Sequence, residues 1–447
     1  MKLQSLTTAV AAAIVLAACS QTGTTGGLPS MPQTSTAGSQ AATAAKPAGA
    51  TQMTNVRSAC PAATRGQAQC DALIRTDLFY KSAPAYAGHR LTSMSQVRSD
   101  QSSNYYGPLD PAHIQQAYNF PSSTKGSGET VAIVDAYDDP NAEADLATYR
   151  AAFGLPPCTT ANKCFRKLNQ QGYTAPLPSP DPGWASEISL DLDMVSAVCP
   201  LCHIVLIEAN SNYFSDLGTA ELIAKAAGAR QVSNSYGGGE GEASDTHYDI
   251  PGVTITASSG DSSWYAGPAD PCALASVICV GGTSIYPYNN TRGWLEKAWS
   301  DAGSGCSQYV PAPSYVPAKY QCGSTHMRPE SDVSADADPY TGVLVYDSFE
   351  TQPGFYVYGG TSVSSPIIAS AFALSGRGGF DRTAQPFWTA GQSHSSSLND
   401  VTIGNNGQAD VRNDVNQLCN WYLYICYAMP GYDGPTGNGT PNGVGAF

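Results

Sequence analysis

The string Gly359-Gly360-Thr361-Ser362-Val363-Ser364-Ser365-Pro366 runs directly into Ile367-Ile368-Ala369-Ser370-Ala371-Phe372-Ala373-Leu374. Proline suits the first turn of a helix, where its missing N–H is not needed, so Ser362 is expected just before a buried helix start. Free backbone N–H groups and the positive end of the helix dipole can stabilise an oxyanion there. The paired glycines allow another backbone to approach closely. Serine is also a good N-cap and Gly-Thr-Ser strings occur in loops, but the whole string leading into a small-residue helix favours a nucleophile. The second residue after Ser362 is Ser364, not glycine, which excludes the nucleophile elbow of the α/β-hydrolases.

A serine nucleophile needs a base, and histidine is the common one. The six histidines are His89, His113, His203, His247, His326 and His394, and none has Gly-Thr after it. Carboxylates supply the alternative. At about 100° per residue, Ala185–Val198 places Ser189, Asp193 and Ser196 on one polar, surface-facing side. Glu187 and Asp191 fall opposite, among Ile188, Leu190, Met194, Val195 and Val198. Acids four residues apart are helix neighbours, and these two point where apolar side chains point. Burial and mutual repulsion oppose double ionisation, so the pair should share protons. Such a pair can deprotonate a serine in acid, where histidine would be protonated.

The elements that must hold these groups are short apolar runs alternating with helical stretches. The runs are Thr130–Val134, His203–Ile207, Gln231–Val232, Gly252–Ala257 and Val277–Val280. The helices are expected at Asn141–Phe153, Trp184–Val198 and Ser215–Gly228. Nearly continuous apolar strands between helices imply an α/β fold, a parallel sheet covered on both faces. Polar ends follow the strands at Asp135-Ala136-Tyr137, Ser233–Gly237 and Ser258-Ser259-Gly260-Asp261, and sites in such sheets lie at the carboxyl ends.

The chain opens with Met1-Lys2, an apolar run from Ala9 to Ala18, and Cys19. That run is too short to span a membrane and reads as a signal h-region. Leu16-Ala17-Ala18-Cys19 resembles a bacterial lipobox, so residues 1–19 are expected to be a lipoprotein signal with Cys19 lipidated; ordinary signal cleavage is the alternative. Residues 20–55 are rich in Thr, Gly, Ser, Ala and Pro and read as a flexible tether. Residues 56–104 form a short N-terminal segment of mixed polarity, and 105–447 the main domain. The twelve remaining cysteines pair locally as 60/70, 158/164, 199/202, 272/279, 306/322 and 419/426, consistent with disulfides made outside the cytoplasm. A redox or zinc role for Cys199-Pro200-Leu201-Cys202 lacks a second metal-binding partner motif. With 42% hydrophobic and 13% charged residues the chain can build one large core, and a net charge of −14 argues against nucleic acid as a partner.

Four blocks together resemble the sedolisin (serine-carboxyl peptidase) family: Glu187-Ile188-Ser189-Leu190-Asp191, Ala257 to Ser262, Gly359 to Pro366, and Gly431-Tyr432-Asp433 with Thr436-Gly437. The resemblance extends from about Tyr105 to Phe447. It implies a subtilisin-like doubly wound, mostly parallel sheet and cleavage of polypeptides at acidic pH. Residue by residue it implies Glu187 as general base, Asp191 as its proton-sharing partner, Ser362 as nucleophile and Asp261 as oxyanion donor. Asp261 must then be protonated. It further implies one structural Ca2+, bound by Asp400, Asp433 and the carbonyls of Val401, Met429 and Gly431. Family members usually carry a long folded prosegment, for which Val56–Tyr106 is too short. Expected is a monomeric enzyme of the cell envelope, anchored by lipid or secreted; an inactive lipoprotein of the same shape that binds a partner is the alternative.

Overall fold

The computed structural model describes residues 53–84, 107–380, 383–407, 419 and 422–447, all within one compact unit that spans Ala41–Phe447. The leader, Cys19, nearly all of the tether and residues 85–104 of the N-terminal segment lie outside the described residues.

In chain order the strands are β1 (Val56–Ser58), β2 (Gln69–Cys70), β3 (Leu73–Tyr80), β4 (Thr130–Ala136), β5 (Phe165–Asn169), β6 (His203–Ala209), β7 (Gln231–Asn234), β8 (Tyr236–Gly239), β9 (Thr254–Ser258), β10 (Ala269–Asp270), β11 (Val277–Pro287), β12 (Trp294–Ala298), β13 (Cys306–Pro311), β14 (Met327–Pro329), β15 (Val333–Asp336), β16 (Val343–Asp347) and β17 (Gly354–Gly359). The main helices are α1 (Pro111–Ala117), α2 (Ala142–Ala152), α3 (Pro182–Val198), α4 (Phe214–Ala226), the short α5 (Asp245–Tyr248) and α6 (Thr361–Ser375).

The central sheet runs β12-β11-β9-β7-β4-β6-β5, with β15 also on β11. All its pairings are parallel except β11 with β12. The mostly parallel, two-faced architecture is thus the expected α/β fold. Strand periodicity of two divides each apolar run between two cores. Val131, Ile133, Ile204 and Leu206 join the cluster that contains α3 and α6 side chains. Ala132, Val134, Val205 and Ile207 join the one that contains Leu217, Ala220 and Ala224 of α4. Edge strand β5 went unanticipated because its Phe-Arg-Lys-Leu-Asn sequence is half polar, as an edge permits.

A second, antiparallel sheet, β1-β3-β17-β16, leads into Gly359 and the start of α6. Residues 56–80 therefore do not form a separate segment. Leu73 pairs with Gly359 and Ile74 with Tyr358, which ties them to the strand that carries the serine motif.

Helix α3 starts where Asp181 accepts hydrogen bonds from the N–H groups of Gly183 and Trp184 (2.9 and 3.0 Å), with Pro182 at its first position. Residues 184–198 are all buried. This corrects the surface placement of Asp193, Ser189 and Ser196. Helix α2 and strand β16 cover that side, Asp193 accepts the Tyr346 N–H (2.9 Å), and Ser186 donates to Asp347 (2.8 Å). Tyr346 satisfies Asp193 and Arg150 satisfies Ser196 inside the protein, while the Ser189 hydroxyl has no partner among the described residues; a helical wheel cannot distinguish such burial from exposure.

Helix α6 also differs from expectation. Gly360 caps it at φ +94°, Ser362 is already its second residue, and Pro366 sits in the second turn, not the first. All six local disulfides form, including Cys199–Cys202.

Arg150 fastens the C-terminal end of α3. It donates to the Pro156 carbonyl (2.6 Å), the Ser196 hydroxyl (2.9 Å) and the Pro200 carbonyl (2.7 Å). Arg150→Ala leaves these buried acceptors unpaired and should lower unfolding free energy by roughly 2–4 kcal/mol. A denaturant titration of both proteins measures it; an unchanged midpoint would show that the clamp is not needed.

Candidate functional site

Glu187 and Asp191 project from α3 toward the carboxyl ends of β4 and β7, and neither is exposed. Glu187 Oε2 accepts the Ala72 N–H (2.9 Å), and Asp191 Oδ1 lies 2.7 Å from the Ser235 hydroxyl. Among the described residues, Glu187 Oε1 and Asp191 Oδ2 have no hydrogen-bond partner. Burial pushes both carboxyls well above the usual range. Glu187 is raised further by Asp191 and Asp135 and lowered by the Ser362 hydroxyl; Asp191 is raised further by Asp135 and lowered by Ser235.

Asp135, the penultimate residue of β4, is the acid that the sequence reading left unassigned. Both of its oxygens are buried and unpartnered, and burial lifts it to about 8. Its signal was the polar residue ending an otherwise apolar strand. Three acids thus share one dry volume, where double ionisation is unfavourable.

The Ser362 hydroxyl donates to the Ser235 carbonyl (3.2 Å). Pro366 lacks the N–H that would otherwise bond the Ser362 carbonyl four residues earlier. That carbonyl instead faces the Ser235 hydroxyl at 3.3 Å. One hydroxyl proton cannot serve both Asp191 and this carbonyl. With Asp191 protonated, the acid donates to Ser235 and Ser235 donates to Ser362, a continuous link between pair and helix.

Asp261 follows β9. Its Oδ1 accepts from the Thr361 N–H (2.7 Å) and the Thr361 hydroxyl (2.9 Å), while Oδ2 is unpartnered. Burial raises it well above its ordinary value, with Asp71 adding to the effect. Since Oδ1 is the acceptor, the proton belongs on Oδ2. A Cβ on Gly360 would lie 2.6 Å from that oxygen, so glycine is required both by φ and by space.

Glu187, Asp191, Ser362 and Asp261 are therefore brought together. No histidine takes part in the hydrogen bonds recorded for them; His113, for example, lies 2.8 Å from Asp110 instead.

The second predicted cluster lies at the C-terminal end. Asp400 accepts the Gly431 N–H at 3.2 and 3.0 Å, and Asp433 accepts from the Met429 N–H (3.1 Å) and from Thr436. Burial raises both acids, and Asp400 raises Asp433 further, while His394 opposes the rise at Asp400. Paired carboxyls offering hard oxygens fit a divalent cation in donor chemistry. Cys272, Cys279 and Glu330 also cluster, but those cysteines are joined in a disulfide and offer no thiolate.

A mostly parallel sheet that sets an α3 acid pair beside a serine at the α6 N-terminus is a subtilisin-like arrangement. Kumamolisin of Bacillus sp. (strain MN-32) is 29% identical over 382 residues, 76% of this chain and 62% of kumamolisin. Xanthomonalisin of Xanthomonas sp. (strain T-22) is 27% identical over 201 residues, 40% of this chain and 21% of that protein. The chain thus spans less than two thirds of the length of these relatives. A solved structure of Pseudomonas sedolisin, a serine-carboxyl proteinase complexed with two molecules of pseudo-iodotyrostatin, shares the fold at TM-score 0.63 and 24% identity, covering 75% of this chain and 95% of that one. No protein-family profile matches the chain. These likenesses are to sedolisins, in sequence to kumamolisin and xanthomonalisin and in fold to Pseudomonas sedolisin.

The buried acids fix how stability depends on pH. Asp71 is lifted to about 7 and Asp135 to about 8, against about 4 for a solvated aspartate. The folded state then holds more protons than the unfolded one. Its stability is fully present below about pH 4 and is lost as pH rises through 7 and 8. Melting temperature should be highest in acid and fall steadily between pH 5 and 8; a maximum at neutral pH would contradict these protonation states.

Proposed function

We propose that the chain is an endopeptidase that hydrolyses polypeptides in acid, with Ser362 as nucleophile, Glu187 as general base, Asp191 as its proton-sharing partner and Asp261 as oxyanion donor. The observation that carries this reading is the burial of unpartnered Glu187 Oε1 and Asp191 Oδ2 beside a serine at a helix N-terminus. A base that must be ionised and an oxyanion donor that must be protonated coexist only if their surroundings separate them. Burial raises both Glu187 and Asp261, which keeps Asp261 neutral, and the Ser362 hydroxyl opposes that rise at Glu187.

In the reaction Glu187 takes the Ser362 proton as Oγ attacks the substrate carbonyl. Asp261 Oδ2 and the Ser362 N–H at the start of α6 hold the developing oxyanion. Glu187 returns the proton to the leaving amine, and water then releases the acyl group. Asp191 and Asp135 tune how readily Glu187 gains and loses its proton.

Ca2+ is proposed for Asp400 and Asp433 with the carbonyls of Val401, Met429 and Gly431. Bound there, it would offset the repulsion between two raised carboxyls and add stability by mass action. Lipidation at Cys19, followed by the tether, is the proposed route to the cell envelope, with polypeptides as substrates.

Ser362→Ala should abolish cleavage of denatured protein. Glu187→Gln should reduce kcat by a large part of the ~10²–10⁴-fold that general acid–base catalysis supplies. Undiminished cleavage by Ser362→Ala would overturn the assignment. Chelation should lower the melting temperature of the wild type but not of Asp433→Asn; equal response of the two would refute the cation site.

A further inference from the structure

The rim of the site between β8 and the start of α4 is shaped to hold a peptide backbone. In this structure the chain itself supplies one. Strand β2 pairs antiparallel with β8, Gln69 opposite Gly237 and Cys70 opposite Tyr236. Its other edge meets the turn before α4, with Gln67 opposite Tyr213. The Asp71 carbonyl oxygen comes within 1.8 Å of where a Gly360 Cβ would be, and Asp261 Oδ2 within 2.6 Å of that point. Asp71 therefore stands in for the residue whose carbonyl is attacked, and Ala68 for the fourth residue counted back from the cut.

Asn212 grips that fourth residue twice. Its carbonyl accepts the Ala68 N–H (2.7 Å), and its side-chain Nδ2 donates to the Ala68 carbonyl (2.7 Å). The carboxamide is itself fixed, because the Tyr137 hydroxyl donates to Asn212 Oδ1 (3.2 Å). Tyr137 comes two residues after Asp135 and holds φ +63°, a left-handed conformation unusual for a residue with a side chain. The turn is braced without any help from the strand. Gln170 accepts the Asn210 N–H (2.6 Å) and donates to Asp216 (3.2 Å), which also accepts the Ser211 hydroxyl (2.5 Å). On the opposite edge, a Cβ on Gly238 would come within 2.6 Å of Phe214 and 3.1 Å of the Gln67 carbonyl, so glycine keeps the channel open.

We propose that Asn212, positioned by Tyr137, is a substrate clamp that reads chain length: it binds the backbone of the fourth residue before the cleaved bond and directs the enzyme to extended segments that continue at least that far. The inference deepens the peptidase reading above and rests on it. Contacts to a carbonyl and an N–H carry no side-chain preference, so the clamp selects the presence of a further peptide unit, not its sequence. Internal stretches of unfolded polypeptide meet that demand, and very short peptides do not. Contacts remote from the reacting carbonyl hold it in place for attack, so their loss is felt in kcat/KM. Tyr137 is a positioning residue, acting through the Asn212 carboxamide, and its place on the chain ties the clamp to the strand that carries Asp135.

The test uses the full chain as wild type, Asn212→Ala and Tyr137→Phe, each held in acid until its hydrolysis of an added denatured protein is steady. The substrates are N-acetylated peptides of one sequence, cut at one bond, with two, three or four residues before it. On the three-residue peptide the acetyl group already places a carbonyl where the Ala68 carbonyl lies, so the Asn212 side chain should be felt from that length on. Asn212→Ala is expected to cut the two-residue peptide like wild type and to lose roughly three- to tenfold in kcat/KM on the longer two. Tyr137→Phe should lose less, at the same lengths. Wild-type kcat/KM should itself rise roughly tenfold or more from two residues to four, a comparison that does not depend on how either variant folds. A wild-type rate indifferent to length, or an Asn212→Ala loss that is equal at every length or absent at all, would overturn this inference and leave the peptidase reading standing. Failure of the wild type to hydrolyse the denatured protein would overturn both.

Discussion

Acid groups buried without cations set the terms for the rest of this molecule. Glu187, Asp191 and Asp135 converge in one dry volume, and among the described residues no lysine or arginine is paired with them. Ionising all three there is prohibitive, so the group must hold protons under conditions where a solvated acid would have lost them. The same logic extends to Asp261 and Asp71 around the serine. A histidine in this place would be charged in acid and could not accept the serine proton. The carboxyl site and the proposed acidic working range are one constraint seen twice.

The fold meets that constraint by rigidity. Helix α3 is buried on every side, so its two acids cannot swing toward water. Helix α6 packs against α3 and against the carboxyl-end strands β7 and β9, fixing Ser362 relative to the acids. Ser235, just beyond β7, bridges them through its hydroxyl and its carbonyl. Pro366 contributes by an omission: without its N–H, the Ser362 carbonyl is free to face Ser235.

Much of this was legible in the sequence. Apolar runs separated by helices marked the sheet, and the serine motif and the acid pair stood out because both put reactive side chains where apolar ones belong. What could not be read had physical causes. A wheel sorts faces by polarity but not by what covers them, so Asp193 was assigned to the surface although Tyr346 and α2 enclose it. Asp135 and Ser235 act through tertiary proximity, and a single polar residue at a strand end does not announce its neighbours. The β1–β3 stretch carries mixed polarity because one side meets the core and the other meets the cleft or solvent. Its union with β17 depends on contacts across most of the chain.

The central claim concerns where protons reside, and carboxyl-selective NMR reads them directly. In Ser362→Ala protein, where self-digestion cannot intervene, 13C-labelled Asp and Glu side chains would be followed from pH 3 to 8. Assignment would come from Glu187→Gln and Asp191→Asn spectra. The account predicts that Glu187 and Asp191 titrate together, with at least one proton retained well above the ordinary carboxylate range. Two independent titrations near pH 4 would contradict it.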